Sequence, residues 1–220
     1  MTINHHPSDA VLLAFAAGKL SEGLALAVTL HLSACPECRE VIGAAECAAG
    51  AALDNLEPCQ LETGSFDRVL ARLDDTREVP VHLHLPASIP MAEALLEPMQ
   101  RWLGKPVDQA RWRWLAPGIR QVEVCRRSAR GGVARLLRIA PGTSLPHHGH
   151  TGTELTVVLR GSFSDEFGRY CPGDIAEVDE DSRHQPIADS DVDCLCLIAT
   201  ESPLRFTGLV GRFLQPFVQI

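Results

Sequence analysis

The sequence predicts an α+β protein, with a small helical N-terminal domain and a C-terminal antiparallel β-barrel of the jelly-roll type. Amphipathic helical segments and a His/Cys array fill the start of the chain. Short apolar segments separated by Gly, Pro and Asp recur after residue 118, which is typical of barrels and jelly rolls. A proline-rich stretch, residues 79–91, divides the two patterns. We therefore expect domains at residues 1–78 and 92–220.

Composition narrows the possible functions. The 220 residues carry a net charge of −8, which argues against direct binding to nucleic acid. No run approaches the ~20 apolar residues of a membrane helix, and residues 1–6 lack the basic and then apolar shape of an export signal. We expect a cytoplasmic protein without a membrane partner, in which the eight cysteines stay reduced. Closely spaced cysteines then indicate metal or redox chemistry.

Three helices are predicted in the first domain. Ser8 and Asp9 can cap a helix over residues 10–17, and Ser21 can cap a second helix that ends near Leu32. Pro36 suits the first turn of a third helix. These segments are rich in alanine, so the core that they can form is thin.

The end of the second helix carries a candidate zinc site in the array H-x3-C-x2-C. At about 100° per residue, His31, Cys35 and Cys38 fall within a sector of roughly 60° on a helix. Tetrahedral zinc needs a fourth ligand, and His5 and His6 are the nearest candidates. A buried cysteine pair in a helical hairpin is the alternative. The thin core favours zinc, which can supply roughly 10–16 kcal/mol to such small domains.

A later amphipathic segment has two possible roles. Four apolar side chains recur at helical spacing in it: Phe66, Val69, Leu70 and Leu73. This stripe either packs on the three-helix core or binds a partner in a groove.

The barrel half contains a second candidate metal site. His148 and His150 are two residues apart, so they share one face of a strand, and Glu154 keeps the even spacing. Nitrogen and oxygen ligands of this kind suit borderline and hard divalent ions. The alternative is a histidine-rich surface loop before an ordinary strand. The full pattern, G-x5-H-x-H-x3-E-x6-G, runs from Gly142 to Gly161.

This pattern resembles the first motif of the cupin superfamily. The resemblance implies a further histidine from a second motif near a P-G-D-like turn, for which residues 172–174 supply the turn and His184 the imidazole. The spacing departs from the usual second motif at this point. His147 lies on the opposite strand face, and we interpret it as a surface residue or as a residue that supports the ligands. The ion would be zinc or another divalent metal.

The order of the two domains resembles the ChrR family of anti-sigma factors. The resemblance implies zinc bound by the first of two ligand sets, His6, His31, Cys35 and Cys38, and a second metal bound by His148, His150, Glu154 and His184. It also implies a regulator and not an enzyme. The helical domain would bind and inhibit an extracytoplasmic-function (ECF) sigma factor, and the metal-binding cupin domain would be needed to release it under singlet oxygen or related oxidative stress. Residues 1–80 carry twelve acidic against five basic residues, which suits a basic, DNA-binding partner.

Two alternatives remain open from the sequence. The chain could be a metal-dependent cupin enzyme, such as a dioxygenase, with the helical domain as an accessory. Cys194 and Cys196 share a strand face, and they are either small apolar fillers or thiols near the metal that an oxidant modifies.

Overall fold

The computed structural model describes residues 2–73, 91–125, 132–149, 152–189, 191–201 and 205–206. The helices are α1 (Asp9–Ala16), α2 (Glu22–Ala34), α3 (Pro36–Asp54), α4 (Ser65–Leu73) and α5 (Met91–Leu103). The strands of the described ranges are β1 (Arg113–Ala116), β2 (Ile119–Cys125), β3 (Val133–Ile139), β4 (His148–Gly149), β5 (Glu154–Arg160), β6 (Phe163–Ser164), β7 (Arg169–Tyr170), β8 (Ile175–Val178), β9 (Arg183–His184), β10 (Ile187–Ala188), β11 (Cys194–Thr200) and β12 (Arg205–Phe206). The predicted α+β class is confirmed.

The helix starts follow the capping residues in the sequence. The Ser8 hydroxyl accepts a hydrogen bond from the backbone amide of Val11 at 3.3 Å, which begins α1. Pro36 occupies the first turn of α3, and Cys35 is the N-cap residue of that helix. The second helix runs two residues beyond its predicted end at Leu32. No helix in the described ranges is long and apolar enough to cross a bilayer.

The barrel consists of one large and two small antiparallel sheets. The large sheet has the strand order β1-β2-β3-β11-β5-β8. The small sheets have the orders β10-β6-β7 and β12-β4-β9. In the second small sheet, His148 of β4 lies opposite His184 of β9. The pairing of these two short strands therefore brings together residues that are far apart in the sequence.

Strands β5 and β11 are buried on both faces, which gives the molecule two apolar clusters. In β11, Leu195 and Leu197 face the helices, whereas Cys194 and Cys196 face the barrel interior. In β5, Leu155 likewise faces the helices. Alternation along a strand sends successive side chains to opposite faces. Both cysteines therefore point into the barrel.

Helices α2 and α5 pack directly on the large sheet. Helix α2 contacts β3, β5 and β11, and its residues Leu24 and Leu30 belong to the same buried cluster as Leu155 and Leu197. Helix α5 packs against α2, although the sequence assigned it to the second domain. The proposed linker at residues 79–91 lies almost wholly outside the described residues, and Met91 already begins α5.

Candidate metal centres

Four predicted ligands of the helical domain come together at one point. We call His6, His31, Cys35 and Cys38 the His/Cys cluster; one donor atom from each lies within 4.8 Å of all the others. The His31 Nε2 atom lies 3.3 Å from Cys38 Sγ. The His6 Nδ1 atom lies 3.4 Å from the sulfur of Cys35 and 3.4 Å from the sulfur of Cys38.

These separations fit a tetrahedral ion. Zn–S bonds of about 2.3 Å and Zn–N bonds of about 2.0–2.1 Å place neighbouring nitrogen and sulfur ligands about 3.5 Å apart. Two imidazoles and two thiols are also a ligand set that zinc prefers. Burial raises the pKa of Cys38 to about 12, so a cation at this point would be needed to favour the thiolate at neutral pH. The cluster can hold zinc.

Local structure and the barrel position the cluster together. The last turn of α2 presents His31, and Cys35 and Cys38 flank the N-terminus of α3. The His31 Nδ1 atom lies 2.8 Å from the carbonyl oxygen of Gly173 in the barrel, so Nδ1 donates and Nε2 faces the sulfurs. Position in the sequence left His5 and His6 as alternatives, and the family resemblance implied His6. The structure brings His6 to the cluster.

A second cluster lies inside the barrel. His148, Glu154 and His184, which we call the barrel cluster, are all buried, and their donor atoms lie within 4.8 Å of one another. The Nε2 atoms of His148 and His184 are 3.2 Å apart. The His184 Nε2 atom lies 4.0 Å from a Glu154 carboxylate oxygen. The fourth predicted ligand, His150, lies outside the described residues.

The protonation states of the barrel cluster follow from its burial. Burial lowers the pKa of His148 to about 4. Burial also raises the pKa of Glu154 to about 7. At neutral pH the imidazole of His148 is therefore uncharged, as metal binding requires. Its Nδ1 atom lies 2.8 Å from the carbonyl oxygen of Pro146, so Nδ1 donates and Nε2 is left to face the ion. The barrel cluster fits a divalent cation.

Sequence reasoning missed a residue that orients His184. The Oδ2 atom of Asp165 lies 2.9 Å from His184 Nδ1. The other carboxylate oxygen accepts backbone amides of Phe167 at 2.9 Å and Gly168 at 3.2 Å. Burial opposes the ionisation of Asp165, yet the bonds from His184 and these amides hold its pKa below the ordinary value. The sequence contains the turn pattern D-x-x-G at residues 165–168, but no local pattern indicated that Asp165 would contact His184.

A small apolar cavity adjoins the barrel cluster. Its volume is about 30 Å³, and Cys196 and Phe163 line it together with the three cluster residues. Cys194 and Cys196 are both buried free thiols, and both belong to the apolar cluster inside the barrel. His147 is half-exposed, and its Nε2 atom lies 3.8 Å from Glu166.

The fold and the two clusters define a protein that joins a zinc-finger-like helical domain to a cupin-like barrel. Residues 9–39 match a family model described as a putative zinc-finger, and residues 103–203 match the ChrR cupin-like domain. The chain belongs to the ChrR family of anti-sigma factors. It is 42% identical over 222 residues to the anti-sigma-E factor ChrR of Cereibacter sphaeroides, and the match covers 100% of both chains.

A solved structure gives the same architecture. The crystal structure of Rhodobacter sphaeroides SigE in complex with the anti-sigma ChrR matches with a TM-score of 0.77 and 41% identity. The match covers 90% of this chain and 99% of the chain in that structure. The family expected from the two motifs and their order is therefore confirmed.

Proposed function

We propose that this protein is an anti-sigma factor whose helical domain, folded around zinc, binds an ECF sigma factor and keeps it from RNA polymerase. In this proposal the barrel, with its own metal, is needed to release the sigma factor under singlet oxygen or related oxidative stress. The observation that carries the binding role is the exposed apolar face of α4, because such a face needs a partner.

Helix α4 is amphipathic, yet none of its residues is buried. The exposed fractions of its apolar side chains are 70% for Phe66, 57% for Val69, 44% for Leu70 and 64% for Leu73. Of the two roles that the sequence left open, packing on the helical core therefore has no support in this conformation. A single helix with apolar anchors at this spacing suits a groove in another protein. The related ChrR chain was crystallised in a complex with SigE.

Charge supports a basic partner. Six carboxylates between residues 37 and 62 are exposed: Glu37, Glu40, Glu46, Asp54, Glu57 and Glu62. A sigma factor presents basic surfaces because it binds DNA, so this acidic surface would speed the encounter and compete with DNA.

We assign each cluster one ion. His6, His31, Cys35 and Cys38 would bind zinc and hold the last turn of α2 to the start of α3, from which the chain continues to α4. His148, His150, Glu154 and His184 would bind zinc or another divalent ion in the barrel. A bound ion would supply a fixed positive charge that holds thiolate and carboxylate ligands in their ionised forms.

The release role is assigned to the barrel. Support for this comes from Cys196, which lines the cavity beside the barrel cluster, where an oxidised sulfur would disturb the ligands. Substitution of His148, Glu154 or Cys196 should leave sigma binding intact and prevent release by singlet oxygen. Release at the wild-type rate from all three variants would contradict this role.

The enzyme alternative has little support. A dioxygenase needs a substrate pocket beside its metal, and ligand sites of this kind usually measure roughly 300–1,000 Å³. Within the part of the chain that the structure describes, the cavity at the barrel cluster measures about 30 Å³. That volume admits about one water molecule.

Sigma-factor binding by α4 can be tested with two variants, each of which places one negative charge on a different face of the helix. The variant Leu70→Asp puts a carboxylate on the apolar face, whereas Ala71→Asp puts the same charge on the exposed opposite face. We expect Leu70→Asp to weaken binding to a purified ECF sigma factor at least tenfold, because a buried interface position tolerates no unpaired charge.

The control, Ala71→Asp, should bind the sigma factor as tightly as the wild type. Affinity is measured by surface plasmon resonance, and inhibition by transcription in vitro with RNA polymerase. Equal affinity for the wild type and Leu70→Asp would show that α4 is not part of the binding surface.

A further inference from the structure

The N-terminal segment of the helical domain is bound to the barrel through one turn. The backbone amides of Asn4 and His5 donate to Asp174 Oδ1 at 2.7 and 3.1 Å. The amide of Ile175 donates to the carbonyl oxygen of His5 at 3.2 Å. The segment continues directly into His6, which belongs to the His/Cys cluster. The turn that contains Asp174 therefore fixes the backbone position from which His6 reaches the cluster.

The carboxylate of Asp174 is buried and fixes the backbone of the N-terminal segment at Asn4 and His5. Asp174 is 1% exposed, and its Oδ2 atom accepts the amide of Cys171 at 2.8 Å and lies 3.5 Å from His5 Nδ1. A buried carboxylate that accepts several backbone amides is well satisfied, so its bonds are difficult to exchange for water.

The same turn also orients the second imidazole of the cluster. The carbonyl oxygen of Gly173 lies 2.8 Å from His31 Nδ1, in a buried contact. This bond fixes the tautomer in which Nε2 faces Cys38 at 3.3 Å. Both histidines of the His/Cys cluster are thus positioned by residues 173–174 of the barrel, which lie more than 140 residues further along the chain.

We propose that the barrel turn Gly173-Asp174 is part of the zinc site of the helical domain, with Asp174 acting as a positioning residue for His6 and Gly173 for His31. Partners of metal-bound histidines typically change metal affinity by about 10–100-fold when they are removed. The zinc affinity of the His/Cys cluster then depends on the contact between the barrel and the helical domain. The conformation of the sigma-binding domain depends on the same contact. This inference rests on the proposed zinc at the His/Cys cluster.

A second, exposed contact strengthens the same docking. The backbone amide and hydroxyl of Ser8 donate to the carboxylate of Glu177 at 2.6 and 2.8 Å. Because Glu177 lies at the surface, its removal should loosen the N-terminal segment without disturbing the barrel core.

The test uses the full-length protein with Co²⁺ or zinc as the probe. Cobalt bound to thiolates gives a sulfur-to-metal charge-transfer band, which reports the His/Cys cluster and not the imidazole and carboxylate ligands of the barrel cluster. We expect Asp174→Asn to release zinc to a chromogenic chelator at least tenfold faster than the wild type, and to retain the charge-transfer band at saturating Co²⁺. Glu177→Ala should show a smaller acceleration, of severalfold.

Asp179→Asn is the matched control, because Asp179 is an exposed carboxylate near the end of the same strand and bonds within its own turn to Ser182. It should release zinc as the wild type does. The inference would be overturned if both Asp174→Asn and Glu177→Ala released zinc at the wild-type rate. If Asp174→Asn does not fold, the rate of zinc release from Glu177→Ala decides the test. The proposed zinc site fails separately if Cys35→Ser and Cys38→Ser leave the charge-transfer band and zinc content unchanged.

Discussion

At the scale of single residues, Asp165 sets the orientation of a candidate ligand. Its carboxylate accepts the Nδ1 proton of His184 at 2.9 Å, so Nε2 is the atom that faces His148. A carboxylate in this position fixes the tautomer and raises the basicity of the ring. Two backbone amides in turn hold the carboxylate in place.

We therefore expect Asp165→Asn to weaken metal binding at the barrel cluster by about 10–100-fold. Chelator competition on a Cys35→Ser background, in which the first site is disabled, measures this affinity. The neighbouring Glu166→Gln is the control, since the Glu166 side chain is half-exposed and contacts His147 and the backbone amide of Gln185. Equal affinities for Asp165→Asn and the control would contradict this role.

Glu154 should make metal binding at the barrel pH-dependent. Burial raises its pKa to about 7, so without a cation the protonated form dominates below neutrality. Metal binding requires the carboxylate, and we expect the apparent affinity to fall about tenfold for each pH unit below 7. Titrations between pH 5 and 8 measure this slope. A Glu154→Gln variant should bind weakly with a flatter slope; an equally flat slope in the wild type would contradict the assignment.

The same shift determines how the metal-free protein responds to pH. The pKa of Glu154 is raised from 4.5 to about 7, so the native state favours the protonated carboxyl more than the unfolded state does. Its contribution to stability is complete below pH 4.5 and is lost as the pH rises through 7. Metal binding offsets this loss, because a cation favours the charged form.

At the scale of elements, the contact between α2 and the sheet depends on one glycine. A Cβ atom at Gly23 would lie 3.0 Å from the carbonyl oxygen of Val133 and 3.2 Å from the Cβ atom of Ala134. Both neighbours belong to β3, which cannot move without shifting its partners β2 and β11. Helix α2 therefore sits close to the sheet only because residue 23 has no side chain.

We expect Gly23→Val to destabilise the protein by about 1–3 kcal/mol, because overpacking forces the helix away from the sheet. The control is Gly43→Ala in α3, where a Cβ atom would meet nothing within 4 Å; this change should stabilise the helix by about 0.5–1 kcal/mol. Urea denaturation measures both changes. Gly23→Val stability at or above that of the wild type would show that the helix and sheet tolerate separation.

At the scale of the whole molecule, the helical and barrel parts share one buried cluster. Leu24 and Leu30 of α2, Leu95 of α5, and Leu155 and Leu197 of the sheet all belong to it. Elements that share a core lose their packing together when either side unfolds. The division at residues 79–91 therefore describes the order of the chain, whereas helices α2 and α5 and the large sheet share one core in the structure.

We expect α1–α3 and the barrel to unfold in a single transition. Thermal unfolding followed by far-ultraviolet circular dichroism and by tryptophan fluorescence should give coincident curves, because all three tryptophans lie after residue 101. A strong chelator should shift both curves to lower temperature together. Two well-separated transitions would show that the shared cluster does not couple the parts.

Local patterns in the sequence were sufficient to predict the fold class of this protein and several of its elements. The capping residues Ser8, Ser21 and Pro36, the period of the strands and the spacing of His31, Cys35 and Cys38 were sufficient to predict the α+β class and the starts of the first three helices. They carry this information because caps, periodicity and ligand spacing act over a few residues. The family resemblance contributed His6 and His184, which no local pattern selected.

Contacts between residues of different elements could be found only in the tertiary structure. Asp165 lies beside His184, and His31 bonds to Gly173. Both contacts join residues of different elements, so no local pattern could indicate them. The same holds for α4, whose apolar stripe is equally compatible in sequence with a core or a partner. Spacing within one segment fixes which side chains share a face, but the packing of separate segments decides what that face meets.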